Sequence, residues 1–330
     1  MKIILEDLYQ HKTLSASAAG NILREMASGK YNPNQIASFM TALIMRNVTI
    51  EELKGFRAAL LELCLPVDLQ SYNPIDLCGT GGDGKNTFNI STLASFVVAG
   101  AGIPVAKHGN YGVSSISGSS NVLEYLGVTF HTNNDILKKQ MDHAGICFLH
   151  APLFHPALKQ VASVRKELGV KTFFNMLGPL VNPSKPGKQV VGVFSLELAR
   201  HYQYIFQELD LDYTIVHALD GFDEISLTGD CKLISNDEDQ IVSPAHFGFP
   251  LCKYADLYGG DTIEQAATIF TAILNGKGNV SQNNVVIANA AIAIKTYNHH
   301  LQIDECLRRA SDSLFNMKAL HSFNMLRQHS

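Results

Sequence analysis

The sequence predicts an α/β protein, with a small, mainly N-terminal helical domain and a larger α/β domain around a mostly parallel central sheet. Three observations predict it. Residues 1–72 carry helix signals and no strand signal. From Ile75 onward, short apolar runs of strand length alternate with helical periods, several of which close on a glycine, at 102, 127, 145 and 169. Alternation of this kind puts helices on the faces of a parallel sheet. Polar, glycine-rich loops follow the strand candidates directly, on the edge where such a sheet binds its ligands. A chain of 330 residues exceeds what one core usually serves, so two domains are expected. They are 1–72, completed by part of 165–185, and 73–330.

In the helical part, Asn32-Pro33-Asn34-Gln35 sets a cap, a first-turn proline and a capping-box Gln ahead of Ile36. Thr49-Ile50-Glu51-Glu52 repeats the pattern ahead of Leu53 and Phe56. A domain this small cannot bury its apolar stripes alone, which points to a partner surface. Gln70 to Pro74 reads as a linker. Strand candidates then follow at Ile75–Cys78, Pro104–Ala106, Val128–Phe130, Ile146–Leu149, Val190–Phe194 and Thr214–His217. Helical periods cover 91–101, 119–126, 134–144, 156–168 and 196–209. Lys171 to Pro183 reads as a return toward the helical domain. The tail from Asp261 is helical, with Asp261 and Glu264 as a capping box.

Composition narrows the function classes. With 46% apolar and 17% charged residues the chain is an ordinary globular protein, and its net charge of −4 gives no basic footprint for nucleic acid. No apolar run reaches transmembrane length. The N-terminus is too acidic for a signal peptide. The six cysteines, 64, 78, 147, 231, 252 and 306, form no C-x-x-C pair and several sit in apolar runs, so reduced thiols in a cytoplasmic protein are expected. The thirteen histidines, His299-His300 included, show no metal-ligand spacing.

The chemistry concentrates between Asp76 and Leu126. Gly79-Thr80-Gly81-Gly82-Asp83-Gly84 ends the first strand candidate, with four glycines in six residues. Such a loop turns backbone N–H groups inward and lets a ligand approach without meeting a Cβ. Asn89-Ile90-Ser91-Thr92 then opens a helix, whose N-terminus favours anionic oxygen. Lys107-His108-Gly109-Asn110 follows the second strand and supplies a point positive charge. Ser114-Ser115-Ile116-Ser117-Gly118-Ser119-Ser120 forms a third polar cluster ahead of another helix. Three phosphate-friendly loops lie within one stretch. Farther on, Asp223-Glu224 sits in a Gly-Phe turn, and adjacent carboxylates suit a hard cation such as Mg²⁺. Arg165 offers a guanidinium able to bind a carboxylate through two hydrogen bonds, or else to pair with Glu167 at the surface.

GTGGD, NIST, KHGN and SS…GS, followed in order by His155-Pro156, VRKELG (164–169), FNMLGPLVNP (174–183) and DGFDE (220–224), closely resemble the anthranilate phosphoribosyltransferases of tryptophan biosynthesis. The resemblance spans most of the chain. It implies a nucleoside phosphorylase/phosphoribosyltransferase-like fold and transfer of a phosphoribosyl group from 5-phosphoribosyl 1-pyrophosphate to the amino group of anthranilate. It implies Mg²⁺ and a homodimer through the helical domain. Gly79, Gly82, Asp83, Thr87, Asn89, Ile90, Ser91, Thr92, Lys107, His108, Gly109, Asn110 and Ser119 would bind the donor. Gly79, Asn110, Arg165 and Gly178 would bind anthranilate, and Ser91, Asp223 and Glu224 the metal. No covalent nucleophile is called for, because a neutral aromatic amine is already nucleophilic. The chain departs from the family pattern at Tyr111, where Arg is usual, at Asn121 for Asp, at Lys171 for Arg and at Ala218 for Gly. Two other readings of the same scaffold are a nucleoside phosphorylase and a non-catalytic nucleic-acid binder. The acidic pair speaks against the first, because orthophosphate needs no metal clamp, and the net charge against the second.

Overall fold

A computed structural model describes residues 1–112 and 116–330. Ser114 and Ser115 lie outside the described residues. The chain divides into two units, Met1–Pro66 with Ala151–Pro183, and Val67–His150 with Ser184–Ser330. The division falls at 66/67, not at 72/73, and the return to the helical unit begins at Ala151, well before 165. Both differences have local causes. Leu69 is fully buried and Tyr72 Oη donates to Asp142 Oδ1 (2.7 Å), so Gln70–Pro74 belongs to the second unit and is no free linker. Leu65 N–H donates to Phe154 O (2.8 Å), Arg57 Nε to Leu180 O (3.1 Å), and Phe173 stacks on Phe56 (4.4 Å), so the whole returning segment is built into the first unit.

The helical unit opens with helices Lys2–Tyr9, Ala16–Ala27, Pro33–Arg46 and Ile50–Leu63. Both expected capping boxes are present. Asn32 Oδ1 accepts from Gln35 N (3.0 Å) and Gln35 Oε1 from Asn32 N (3.1 Å); Thr49 and Glu52 reciprocate in the same way. Glu52 is also fully buried, where it pairs with Arg46 and accepts from Leu14 N (2.8 Å). A Cβ on Gly55 would lie 2.1 Å from Ala16 O, so the second and fourth helices cross at glycine contact.

The second unit holds a seven-stranded sheet. Its strands are β1 (Ile75–Gly79), β2 (Val105–Gly109), β3 (Ile146–His150), β4 (Lys188–Gly192), β5 (Asp212–Ala218), β6 (Cys231–Ser235) and β7 (Asp239–Val242), ordered β3-β2-β1-β4-β5-β6-β7. The first five strands are parallel and the last two antiparallel. The chain winds outward from β1 to β3, then resumes at β4 on the other side of β1. The β1/β4 pair is therefore the topological switch point, and the crevice at its carboxyl end is the favoured ligand position. Gly79 and Gly192, paired in register, close those two strands.

Three expectations are corrected here. Val128–Phe130 is no strand: Thr129 N–H donates to Ser330 Oγ (3.1 Å) and Phe130 stacks on the His150 ring (4.6 Å). The second strand runs on through Lys107, His108 and Gly109, which therefore pair with β3 instead of forming a loop. The tail helix Ile263–Leu274 is capped by Thr262, whose Oγ1 accepts from Gln265 N (3.2 Å), because the Asp261 carboxylate is engaged by Tyr258 Oη. Helices Val280–Tyr297 and Ile90–Gly100 pack together under the sheet, in a core that includes Phe96, Phe270 and Phe323. All six cysteines are free, four of them buried and Cys64 and Cys78 partly so. Among the described residues, no helix is long and apolar enough to cross a membrane.

Candidate active site

At the switch point the loop after β5 lays Asp223 across the ends of β1 and β4. A Cβ on Gly79 would lie 2.5 Å from Asp223 Oδ2, and one on Gly192 would lie 1.5 Å from Asp223 O. Only glycine at both strand ends admits this loop. Gly192→Ala is therefore expected to cost about 1–3 kcal/mol of stability through overpacking and to displace Asp223. An unchanged urea midpoint with unchanged turnover would show that the loop does not sit there. The sequence reading missed Gly192, since a lone glycine ending an apolar run looks like any strand end.

The carboxylates are built in. Asp223 Oδ2 accepts from Gly81 N (2.7 Å) and Glu224 Oε1 from Ser91 N (2.9 Å). Gly81 takes a left-handed φ of 63°, which turns its N–H toward the carboxylate. One N–H expected for phosphate is thus already committed to Asp223. Burial, then the charge of Asp83, raises the Asp223 carboxyl to about 7. Burial, then Asp223, raises Glu224 well above the usual range. Asp83 is raised by burial too and is hydrogen-bonded to Asp223, an arrangement that needs a proton between the two. Asp223 and Glu224, two buried carboxyls with raised pKa that line one cavity, are donors a hard divalent cation would relieve. Ser91, Asp223 and Glu224 line one cavity of about 20 Å³ with Gly79, Cys78 and Asn289, room for about one water-sized particle. Among the described residues, no three His, Cys, Asp or Glu side chains close a metal cage by themselves.

The helix Ile90–Gly100 starts beside this cluster. Asn89 is its N-cap residue but makes no side-chain cap bond. Its Nδ2 donates to Ser117 O (3.0 Å) and so ties the first polar loop to the third. The cap comes instead from Glu224, whose Oε1 accepts from Ser91 N in the first turn of the helix. Ile90 and Thr92 point into the core, so any contact they make with a ligand is through backbone. Thr87 pairs as a β-bridge with Tyr258, a segment the sequence reading left unassigned. Lys85, also unremarked there, holds its ammonium over the rings of Phe222 (4.9 Å) and Tyr254 (5.4 Å).

Lys107 and His108 lie within β2 and not in a loop after it. Both are 2% exposed. Lys107 Nζ donates to Leu77 O, and its charge opposes the upward shift of Glu224. His108 N–H donates to Asp76 Oδ1 (3.1 Å). Neither is a surface cation, because β2 carries them into the sheet. Beyond them Asn110 is exposed, and its carbonyl accepts from Ser119 Oγ (3.2 Å) and Ser120 N (3.1 Å). A Cβ on Gly109 would lie 2.4 Å from Ser119 Oγ. The second and third polar loops are thus one piece. Gly82 is buried in the glycine loop.

Two of the departures from the family pattern, Asn121 and Tyr111, have partners on hand. Asn121 Oδ1 accepts from Gly112 N (2.9 Å) and Gly118 N (3.0 Å), a task an amide oxygen performs as a carboxylate does. Tyr111 packs edge-on to His150 (4.8 Å), with its hydroxyl 3.3 Å from Glu124 Oε2. Ala218 is fully buried at the end of β5. Lys171 is exposed in the helical unit. Arg165 and Gly178 also belong to that unit. The Arg165 guanidinium lies over the Phe174 ring (5.3 Å), burial pushes its pKa down, and no carboxylate among the described residues pairs with it. Gly178 opens the 3-10 turn Gly178–Val181.

Comparison with known proteins adds a separate finding. Residues 71–320 match the family model described as "Glycosyl transferase family, a/b domain", and residues 2–64 match "Glycosyl transferase family, helical bundle domain". The chain is 60% identical over 328 residues to an anthranilate phosphoribosyltransferase of Flavobacterium psychrophilum, with 99% of each chain covered. It is similar to the crystal structure of anthranilate phosphoribosyltransferase from Thermus thermophilus, at 30% identity and a TM-score of 0.91 over 98% of each chain. It is equally similar in fold to the Saccharomyces cerevisiae anthranilate phosphoribosyltransferase in complex with PRPP and Mg, at 28% identity and a TM-score of 0.91 over 98% of this chain and 96% of that one.

Proposed function

Because the chain belongs to the anthranilate phosphoribosyltransferases, a glycosyl transferase family, we propose that it transfers the phosphoribosyl group of 5-phosphoribosyl 1-pyrophosphate to the amino group of anthranilate. The C1–O bond to pyrophosphate breaks, a C1–N bond forms, and the amine loses a proton. Pyrophosphate leaves with the electron pair of the broken bond, and C1 passes through an oxocarbenium-like state, as in glycosyl transfer generally. The observation that carries this reading is the switch-point cluster, in which buried carboxylates face a glycine loop and a helix start.

The residues divide the work as follows. The loop Gly79–Asp83 and the helix start Asn89–Thr92 would cradle the pyrophosphate end with backbone N–H groups and the Thr87 and Ser91 hydroxyls. Gly109, Asn110 and Ser119 would meet the phosphoribosyl end, with Lys107 and His108 behind them inside the sheet. Arg165, Gly178, Gly79 and Asn110 would bind anthranilate. Asp223 and Glu224, with Ser91, would hold Mg²⁺, which when bound neutralises charge on the leaving pyrophosphate. Protein oxygens that are already buried and oriented need little reorganisation to do so.

The test is consumption of anthranilate fluorescence. It should require both the pyrophosphate donor and Mg²⁺, with pyrophosphate released one for one. Absence of consumption by folded protein with both present would overturn the reading. The six free thiols support a cytoplasmic setting.

A homodimer through the helical unit is proposed as well. Ile3 (74% exposed), Tyr9 (60%) and Met45 (78%) stand out on its first and third helices, and apolar surface of this kind marks interaction sites. Light scattering should give a mass near twice 36.1 kDa. A monomer at micromolar concentration would count against it.

A further inference from the structure

Asn289 is a polar residue in one of the most apolar helices of the protein. On the helix Val280–Tyr297 it is flanked by Val285, Val286, Ile287, Ala288, Ala290 and Ala291, all buried, and is itself 9% exposed. A buried amide is costly unless its hydrogen bonds are made. Nδ2 donates to Ile225 O (2.9 Å) and to Val285 O of its own helix (2.8 Å), and Oδ1 accepts from Ile225 N (3.1 Å). One side chain thus satisfies both backbone groups of Ile225.

Ile225 directly follows Glu224. On the near side of the pair, Ala218 N–H donates to Phe222 O (3.1 Å), which fixes the turn as it leaves β5. On the far side the fastening is Asn289. Asn289 also lines the small cavity shared by Ser91, Asp223 and Glu224. We infer that Asn289 is a positioning residue for the divalent cation: by clamping the Ile225 peptide it aims Asp223 and Glu224 into one cavity and so sets metal affinity. The inference rests on the reading that this carboxylate pair holds the metal. Partners that orient metal ligands typically contribute roughly 10–100-fold in affinity.

A purely structural amide would instead affect stability alone, so the readout is metal binding. The probe is Mn²⁺, followed by the loss of its free-ion electron paramagnetic resonance signal in the presence of pyrophosphate. Asn289→Ala removes the clamp and leaves a small hole. Asn289→Ser is gentler, because a serine hydroxyl can bond the carbonyl four residues back in its own helix but cannot reach Ile225. Thr296→Val on the same helix is the control. It breaks a buried bond between Thr214 and Thr296 hydroxyls (2.7 Å) far along the helix from Ile225.

Both Asn289 variants should bind Mn²⁺ roughly 10–100-fold more weakly, while Thr296→Val binds it as the parent does. Anthranilate binding by fluorescence should be unchanged in all three. If Asn289→Ser folds and keeps parental Mn²⁺ affinity while Asp223→Asn loses it, the inference fails and the metal reading stands. If Asp223→Asn also binds Mn²⁺ normally, both fail. Equal weakening in Thr296→Val would reduce the effect to general destabilisation and overturn the inference too.

Discussion

Replacing Asp223 with Asn and Glu224 with Gln together should lower turnover by at least roughly 10²- to 10³-fold, the loss typical when one preorganised charge-stabilising group is removed. The fold should survive. Asn and Gln keep an oxygen able to accept from Gly81 N and Ser91 N, the bonds that seat the two carboxylates. The pH dependence of stability reports the buried pair, and its response to Mg²⁺ separates a metal site from a merely buried one. The folded-state pKa of Asp223 is raised from 3.8 to about 7, and that of Glu224 is raised as well, both chiefly by burial. Between these values the native state binds more protons than the unfolded chain, so the slope of stability against pH is negative. The parent without metal is therefore most stable below about pH 4 with respect to these groups and loses that stability as pH rises through about 7. The double variant lacks both titrations. In EDTA at pH 8 it should melt above the parent, whereas at pH 4 the difference should vanish. Added Mg²⁺ should raise the melting point of the parent and leave the variant unmoved, since only a species that binds the native state stabilises it. Full turnover of the double variant in EDTA would remove the carboxylates from the chemistry.

What the sequence makes legible depends on how far each contact reaches along the chain. Asn32 with Gln35, and Thr49 with Glu52, are bonded within one helical turn, so spacing alone identifies them. The glycine loop and the 89–92 helix start are equally local. The bonds that assemble the site are not. Gly81 to Asp223 spans 142 residues, Ser91 to Glu224 spans 133, and Ile225 to Asn289 spans 64. Nothing in the local composition around Asn289 or Gly192 announces its partner. Asn89 shows the limit clearly. It has the chemistry of a capping residue, yet the Glu224 carboxyl, 133 residues away in sequence, accepts the Ser91 N–H in its place. The extent of β2 is hidden for a related reason. An apolar run of three residues understated β2, and two polar residues ride into the sheet at its end, where the Leu77 carbonyl receives the ammonium.

Arg165→Ala should weaken use of anthranilate roughly 10- to 150-fold, since a charge-assisted hydrogen bond contributes about 1.5–3 kcal/mol and each 1.4 kcal/mol is a factor of ten. The setting of the residue supports a recognition role over a surface one. Its helix, Lys159–Leu168, ends at Gly169 in a left-handed conformation, and Arg165 sits in the last turn. Its guanidinium lies over the Phe174 ring (5.3 Å), within cation–π reach, and burial pushes its pKa down. A half-buried cation held by an aromatic face, with no carboxylate among the described residues paired to it, keeps its planar donors available for a carboxylate that arrives with substrate. Donor affinity should change little, because the groups proposed for the donor lie at 79–92 and 107–119. Arg165→Lys should recover only part of the loss, as an ammonium cannot make the two-point planar contact. An exposed Arg in an ion pair would behave otherwise, contributing about 0–1 kcal/mol to stability and nothing to the choice of substrate. Steady-state kinetics with each substrate varied in turn distinguish the two. If Arg165→Ala keeps the parental KM for anthranilate and the parental kcat, the guanidinium recognises nothing and the acceptor lies elsewhere.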